Sequence, residues 1–372
     1  MTRFRLRLVI ILLAIFAVRV NFASAQASMP WYSEKMNPIA EIAMVGIDAN
    51  TLYYIGSGSG DGEAYRGSFP LERNWYAKFI SELSKAGAKM VVFNIYFNQE
   101  WNSPTSRAFA DAVKNASMPV IVSFEKVPHP YPNTVDPDLK SYSLSRIGPK
   151  NVNSEKALSL AFPFKEILAA GALIGYSRMV EDADGIVRSV PAFVGYNNHV
   201  FPSLSVRTFI QAVGAAPQDA TVSGYGANRS LNINGRKISI TQADTIQVAI
   251  PPHNTIFKSR SFYDVMNVKD SYKKDAKKTH QKKLKEWFED KIVFVGFTDL
   301  SLGDLKRTTA GVGYPGTEII AAAVNQMLNI YAGPNASPAY KKKKSNVKTS
   351  PATPPRNTDV DIAVEEMKKN RK

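Results

Sequence analysis

The sequence predicts an α/β fold: a mostly parallel, open sheet flanked by helices, with an inserted region of antiparallel β-hairpins. Three observations predict it. Short, almost wholly apolar runs recur along the chain, as IAMVGID at 42–48, MVVFNIYF at 90–97, PVIVSF at 119–124 and KIVFVGF at 291–297. That is the pattern of strands covered on both faces. Segments with apolar residues at helical spacing alternate with them, and strand–helix–strand alternation implies parallel pairing through right-handed crossovers. Asp-Gly at 184–185 and Asn-Gly at 234–235 punctuate the second half, and both pairs are two-residue hairpin signals.

Taken in order, the first strand Ile42–Asp48 is followed by a loop at 56–68 rich in Gly, Ser and Asp. Residues 74–86 place Trp75, Phe79, Ile80 and Leu83 on one helical face, with Asn74 as the N-cap and Gly87 just past the end. Strand Met90–Phe97, helix Pro104–Val113 and strand Pro119–Phe124 come next, then a Pro-, Asn-, Ser- and Asp-rich loop at 126–154. Helix 163–170 leads to strand Leu173–Tyr176, which Asp184-Gly185 is expected to join in a hairpin to Ile186–Val194. Pro202–Val213 reads as a helix, and 230–250 as short strands ending in Thr245–Ile250. The Lys-rich stretch 269–285 reads as a solvated helix or loop inserted before Lys291–Phe297, the last clear strand. Tyr314–Asn329 is the closing helix, with Pro315 in its first turn. From Tyr331 the chain is low in complexity and rich in Pro, Lys, Ser, Thr and Asn, the composition of a disordered tail. The organisation expected is thus a leader at 1–27, one domain at 38–330, and a basic tail at 331–372.

At 44% apolar and 21% charged residues, the 372-residue chain is globular in composition. Its 47 Lys and Arg against 32 Asp and Glu give +15, which would suit a nucleic-acid partner. The distribution argues otherwise. Residues 1–20, 269–285 and 331–372 carry +4, +6 and +6, which leaves about −1 for everything else. A near-neutral folded part makes no electrostatic footprint for nucleic acid. There is no cysteine, so disulfides, thiol catalysis and thiolate metal sites are excluded. Arg3, Arg5 and Arg7 precede the apolar run Leu8–Val18, and Ala23-Ser24-Ala25 and Ala25-Gln26-Ala27 follow it. This order is that of a secretory signal peptide. The run has 11 residues where a spanning helix needs ~20, and Arg19 ends it. Cleavage after Ala25 or Ala27, or retention of the leader as an anchor, both export the remainder to the periplasm or the outer face of the cytoplasmic membrane.

Four segments in order resemble one family, the second class of CHASE domains (cyclase- and histidine-kinase-associated sensory extracellular domains). They are VGIDANTLYYIG with FPLERNWYAKFISELSKAGAKMVVFNIYF; IGYSRMVEDADGIVRSVPAF; FPSLSVRTF; and KIVFVGFTDLSLGDLKRTTAGVGYPGTEIIAAAVNQML. Together they span about residues 40–330. The resemblance implies a non-enzymatic extracytoplasmic domain that binds a small signal and feeds a membrane receptor kinase or cyclase. It also implies C-terminal transmembrane helices and a cytoplasmic output domain, and here the domain is expected to work without an output domain of its own. Asn94 stands where the family usually has Asp, which puts an acidic role at that position in doubt.

Chemistry-bearing motifs are sparse. GSGSGDG at 56–62 has Asp61 where a dinucleotide fingerprint needs Gly, so it reads as a flexible loop. Asp182-x-Asp184-Gly185 lacks the further oxygen ligands of a calcium loop and reads as a turn. His129, His199, His253 and His280 share no metal spacing, no nucleophile elbow is present, and no cofactor is implied. The candidate ligand-binding residues are Asp48 and Asn94 at strand ends and Asp304 after Lys291–Phe297, joined by Arg188 and Glu318. In an open parallel sheet such positions gather at the carboxyl edge, where ligands bind. The competing reading is that they cap helices and pair with one another. Two other functions stay open: a binding module for anionic envelope polymers using the Lys-rich segment, and an exported hydrolase of unrecognised site. N-terminal sequencing of the exported protein should find Gln26 or Ser28 first; intact Met1 in the soluble cytoplasmic fraction would overturn the leader assignment.

Overall fold

A computed structural model describes residues 41–55, 69–98, 103–129, 138–154, 156–252, 257, 259–266 and 276–332. The leader, the Gly-rich loop at 56–68 and the tail beyond Ala332 lie outside the described residues. In chain order the first half runs β1 (Ile42–Ile47), α1 (Ala49–Ile55), α2 (Arg73–Ala86), β2 (Met90–Tyr96), α3 (Ser103–Lys114), β3 (Val120–Val127), α4 (Leu139–Tyr142), β4 (Ser159–Ala161), α5 (Lys165–Ala169) and β5 (Leu173–Tyr176). The hairpin region follows as β6 (Val180–Glu181), β7 (Val187–Pro191), β8 (Phe193–Tyr196), β9 (His199–Pro202), α6 (Leu204–Ala212), β10 (Ala220–Ser223), β11 (Ser230–Ile233), β12 (Arg236–Ser239) and β13 (Thr245–Gln247). The chain then returns through β14 (Ser259–Ser261), α7 (Phe262–Met266), α8 (Ala276–Phe288), β15 (Ile292–Phe297), β16 (Leu305–Thr308), β17 (Gly311–Pro315) and α9 (Gly316–Ala332).

The main sheet has the order β14-β1-β15-β2-β3-β5, every pair parallel, and short β4 continues the outer edge of β3 antiparallel. The apolar runs are buried on both sides because alternate residues feed two cores. Val45, Val91, Phe93, Val293 and Val295 pack with α1, α2, α3, α5, α7 and α8. Ile42, Met44, Met90, Val92, Ile292 and Phe294 pack with α6, α9 and the hairpin strands. On the first face, Tyr76 stands among the rings of Phe93, Phe97, Phe109 and Phe262.

Several local expectations need correction. Helix α2 begins at Arg73 after Glu72, so Asn74 lies inside the helix and is not its cap; Gly87 does close it, at φ 77°, donating to Leu83 and Ser84 carbonyls. Leu173–Tyr176 pairs parallel with β3, and the Asp184-Gly185 turn instead joins β6 to β7. A two-residue strand is too short to leave a periodic signal. The Asn234-Gly235 turn forms as expected, with φ of 49° and 75°, between β11 and β12. The Thr245–Ile250 strand shortens to β13, antiparallel to β7. Two more strands follow β15, and Tyr314 and Pro315 belong to the second of them, so α9 starts at Gly316. The Lys-rich insertion is solvated on one side only: its helix α8 buries Leu284 and Phe288 against the first core.

The hairpin region is tied to the segment at 151–154 by a buried ion pair. Arg229 Nε donates to Asp244 Oδ1 at 2.6 Å, with side chains 7% and 0% exposed. Asp244 Oδ2 also accepts the N–H groups of Asn153 and Ser154, and Arg229 Nη2 donates to the Asn151 carbonyl. Every charged oxygen is thereby satisfied, the condition under which burying a charge pair is tolerable. Asp244→Ala strands the guanidinium and should cost about 3–5 kcal/mol in urea unfolding, whereas Arg229→Met with Asp244→Ala should recover much of that loss.

Candidate functional site

Strand β15 lies between β1 and β2, and its connection leaves to a different face from theirs. The chain passes from β1 to α1 and α2, and from β2 to α3, on the first face; from β15 it passes to α9 on the second. Where connections diverge, loops separate and a crevice opens at the carboxyl ends of the strands.

Polar groups converge there. Asn94, near the carboxyl end of β2, points to the second face and is 7% exposed. Its Nδ2 donates to Asp304 Oδ2 and to Thr317 Oγ1, each at 3.0 Å, and its Oδ1 accepts from Ser177 Oγ at 2.5 Å. A carboxylate can only accept, which fixes the amide orientation. Asp304 sits on the start of α9: its backbone carbonyl accepts the Gly316 N–H at 2.9 Å, and its Oδ1 lies 2.5 Å from where a Cβ on Gly316 would stand. Thr317 reaches Asn94 because Gly296 beneath it has no side chain; a Cβ there would come within 1.8 Å of Thr317 Oγ1. Its register partner on β1 is Gly46, where a Cβ would come within 2.5 Å of Thr298 Oγ1.

Burial pushes the Asp304 carboxyl up to about 6, against the opposing pull of Lys306 and the hydrogen bond from Asn94. Beside it, Tyr96 at the end of β2 donates to the Ser177 carbonyl at 2.6 Å. Burial lifts its phenol far above the usual range, and the charges of Glu125 and Asp304 add to that. Glu125 is itself raised by burial, with Arg178 acting against it. The cluster therefore joins a partly buried acid to neutral donors.

The other sequence candidates are placed as follows. Asp48 caps α1: its Oδ1 accepts from Thr51 N, Thr51 Oγ1 and, from β14, Ser261 Oγ, at 2.8–2.9 Å. Glu318 is buried in the first turn of α9, where its Oε1 accepts from the Tyr314 hydroxyl at 3.4 Å. Arg188 is engaged at the surface of the β6–β7 hairpin with Asp182 and Asp184, both at 2.7 Å, and its hydrogen bonds hold the Asp184 carboxyl down at about 2. The structure thus joins Asn94 to Asp304 directly and puts Glu318 on the same helix start, while Asp48 and Arg188 make these contacts elsewhere. Sequence reasoning missed Thr317, Ser177 and Tyr96. The available signal was position: Ser177 directly follows β5, and Thr317 follows the Pro-Gly that opens the closing helix. Among the described residues no group of three or more His, Asp and Glu could hold a metal ion, and no helix is long and apolar enough to cross a membrane.

A carboxyl whose folded pKa is raised holds its proton more tightly in the folded state. Its contribution is fully favourable below pH ~4 and is lost as pH rises through about 6. Asp304→Asn should therefore gain stability relative to the parent between pH 4 and pH 7, by at most about 3 kcal/mol at 1.36 kcal/mol per unit. Urea unfolding at the two pH values measures this.

The family model of the CHASE2 domain matches residues 8–345. No curated protein and no solved structure matches the chain. With a match over most of its length, and with the parallel sheet and hairpin region that the sequence motifs implied, the chain belongs to the CHASE2 family of extracellular sensory domains.

Proposed function

We propose that this sensory domain binds a small extracytoplasmic signal at the carboxyl edge of its sheet, with Asp304 as the recognising acid positioned by Asn94, and relays it to a membrane receptor kinase or cyclase. The observation that carries the reading is the Asn94–Asp304–Thr317 cluster. It is a partly buried carboxyl held on a helix start, at the point where neighbouring connections diverge. An acid in that position recognises a hydrogen-bond donor or a cation. Its proton affinity places the charge change near pH 6, so recognition strengthens as pH rises through that value. The leader supports export, and the second-face helix α9, which carries Thr317 and is the last described element of the chain, is the element through which occupancy would be passed on.

A thermal-shift screen of small polar and cationic metabolites tests the reading. A ligand at about 100 times its Kd should stabilise the parent by ~2.7 kcal/mol and leave Asp304→Ala unshifted, with circular dichroism unchanged. Receptor output should fall for Asp304→Ala. Hits that stabilise both proteins equally would place the signal elsewhere. An output lost on Lys-to-Gln exchange at Lys277, Lys278, Lys282, Lys283 and Lys285, with Asp304→Ala normal, would favour anionic envelope polymers instead.

A further inference from the structure

Ser177 stands where the chain leaves β5 for the hairpin region, and it is 4% exposed. Its backbone is held from two strands. The N–H donates to the Phe124 carbonyl of β3 at 2.9 Å, and the carbonyl accepts the Tyr96 hydroxyl of β2 at 2.6 Å. On so fixed a backbone the side chain has little freedom. Its hydroxyl donates to Asn94 Oδ1 at 2.5 Å, the one hydrogen bond that this Oγ makes among the described residues. The amide group beyond it turns its N–H groups the other way, to Asp304 Oδ2 and Thr317 Oγ1.

A side-chain amide has two orientations that fill the same space, and its neighbours decide between them. An ionised Asp304 only accepts, so it holds the amide as found. A protonated Asp304 makes no such demand. It can donate its own O–H to the Oδ1 of an overturned amide, and Thr317 can donate as readily as accept. Ser177 opposes that turn. An overturned amide meets Ser177 with N–H, and the buried hydroxyl proton loses its acceptor. We infer that Ser177 is a positioning residue, whose hydroxyl locks the Asn94 amide with its NH2 group on Asp304 and thereby favours the charged form of the acid. The inference deepens the reading above and rests on it for its bearing on the signal. Lys306 of β16, Tyr96 of β2 and Glu318 of α9 are the other titratable groups on the elements that meet Asp304, with Glu125 of β3 and Arg178 beyond Tyr96. Ser177 is uncharged, so its replacement leaves their fields in place.

Carbon-13 carboxyl NMR of the full chain tests this without any ligand, the Asp304 signal being identified by its loss in Asp304→Asn. The parent should titrate at about pH 6. Ser177→Ala should move that midpoint up by about half a unit to one unit, which is one hydrogen bond expressed as proton affinity. Ser177→Cys, a weaker donor of similar shape, should move it the same way and less, and it decides the matter if Ser177→Ala does not fold. Ser123→Ala is the control. It removes a buried hydroxyl of β3 that makes no hydrogen bond among the described residues, and it should leave the midpoint in place. A midpoint that stays at the parent value in the Ser177 variants, or that Ser123→Ala shifts as far, overturns the inference. A ligand screen that finds no binder at Asp304 strikes the reading above instead, and leaves these titrations as they are.

Discussion

Helix α9 can begin directly over strand β15 only because residue 296 lacks a side chain, a Cβ there having no space beneath Thr317. That contact fixes much of the carboxyl edge. It brings Thr317 to Asn94, sets the Gly316 N–H on the Asp304 carbonyl, and thereby holds the Asp304 carboxyl where burial raises its proton affinity. The same device recurs on the same face at Gly175, whose missing Cβ admits the backbone of Leu204 at the start of α6. Both long second-face helices therefore start in contact with the sheet, and neither helix end can shift without opening a core in which Phe294, Ile319 and Val324 are fully buried.

An amide rather than a carboxylate at position 94 has a chemical meaning in this setting. A carboxylate at 94 would face Asp304 across 3.0 Å, and two acids so placed must share a proton. The amide instead supplies two donors and an acceptor, all used, so Asp304 is free to ionise near neutral pH. The charge balance of the rest of the domain agrees with a site of this modest polarity. Its one deeply buried ion pair, among the described residues, lies in the hairpin region and is fully hydrogen-bonded.

How much of this could be read from the sequence follows from which forces leave a local trace. Burial on both faces does: the four apolar runs are β1, β2, β3 and β15, and the fold class follows from them. Strand order does not, because nothing in KIVFVGF says that it inserts between the first two strands. The first strand of the hairpin at 180–191 leaves no local trace because β6 has two residues, both exposed, while the preceding LIGY run is apolar enough to be a buried parallel strand. In the site, Asn94 and Asp304 stood out as polar residues beside apolar strands. Thr317 and Ser177 did not, since a Thr in a first helical turn and a Ser after a strand are ordinary, and only the tertiary approach allowed by Gly296 gives Thr317 its role. Arg188 is expected at the carboxyl edge, yet it pairs with acids four and six residues away in its own hairpin.

The place of β15 also governs the order in which the chain can fold. Residues 292–297 complete the middle of a sheet whose immediate neighbours are residues 42–47 and 90–96. Until residues 292–297 have emerged, β1 and β2 have no shared partner. Assembly is dominated by contacts between distant parts of the chain, which makes it slow. A centre that closes only when its last strand arrives leaves residues 42–96 without their shared partner for as long as residues 292–297 are not yet in place.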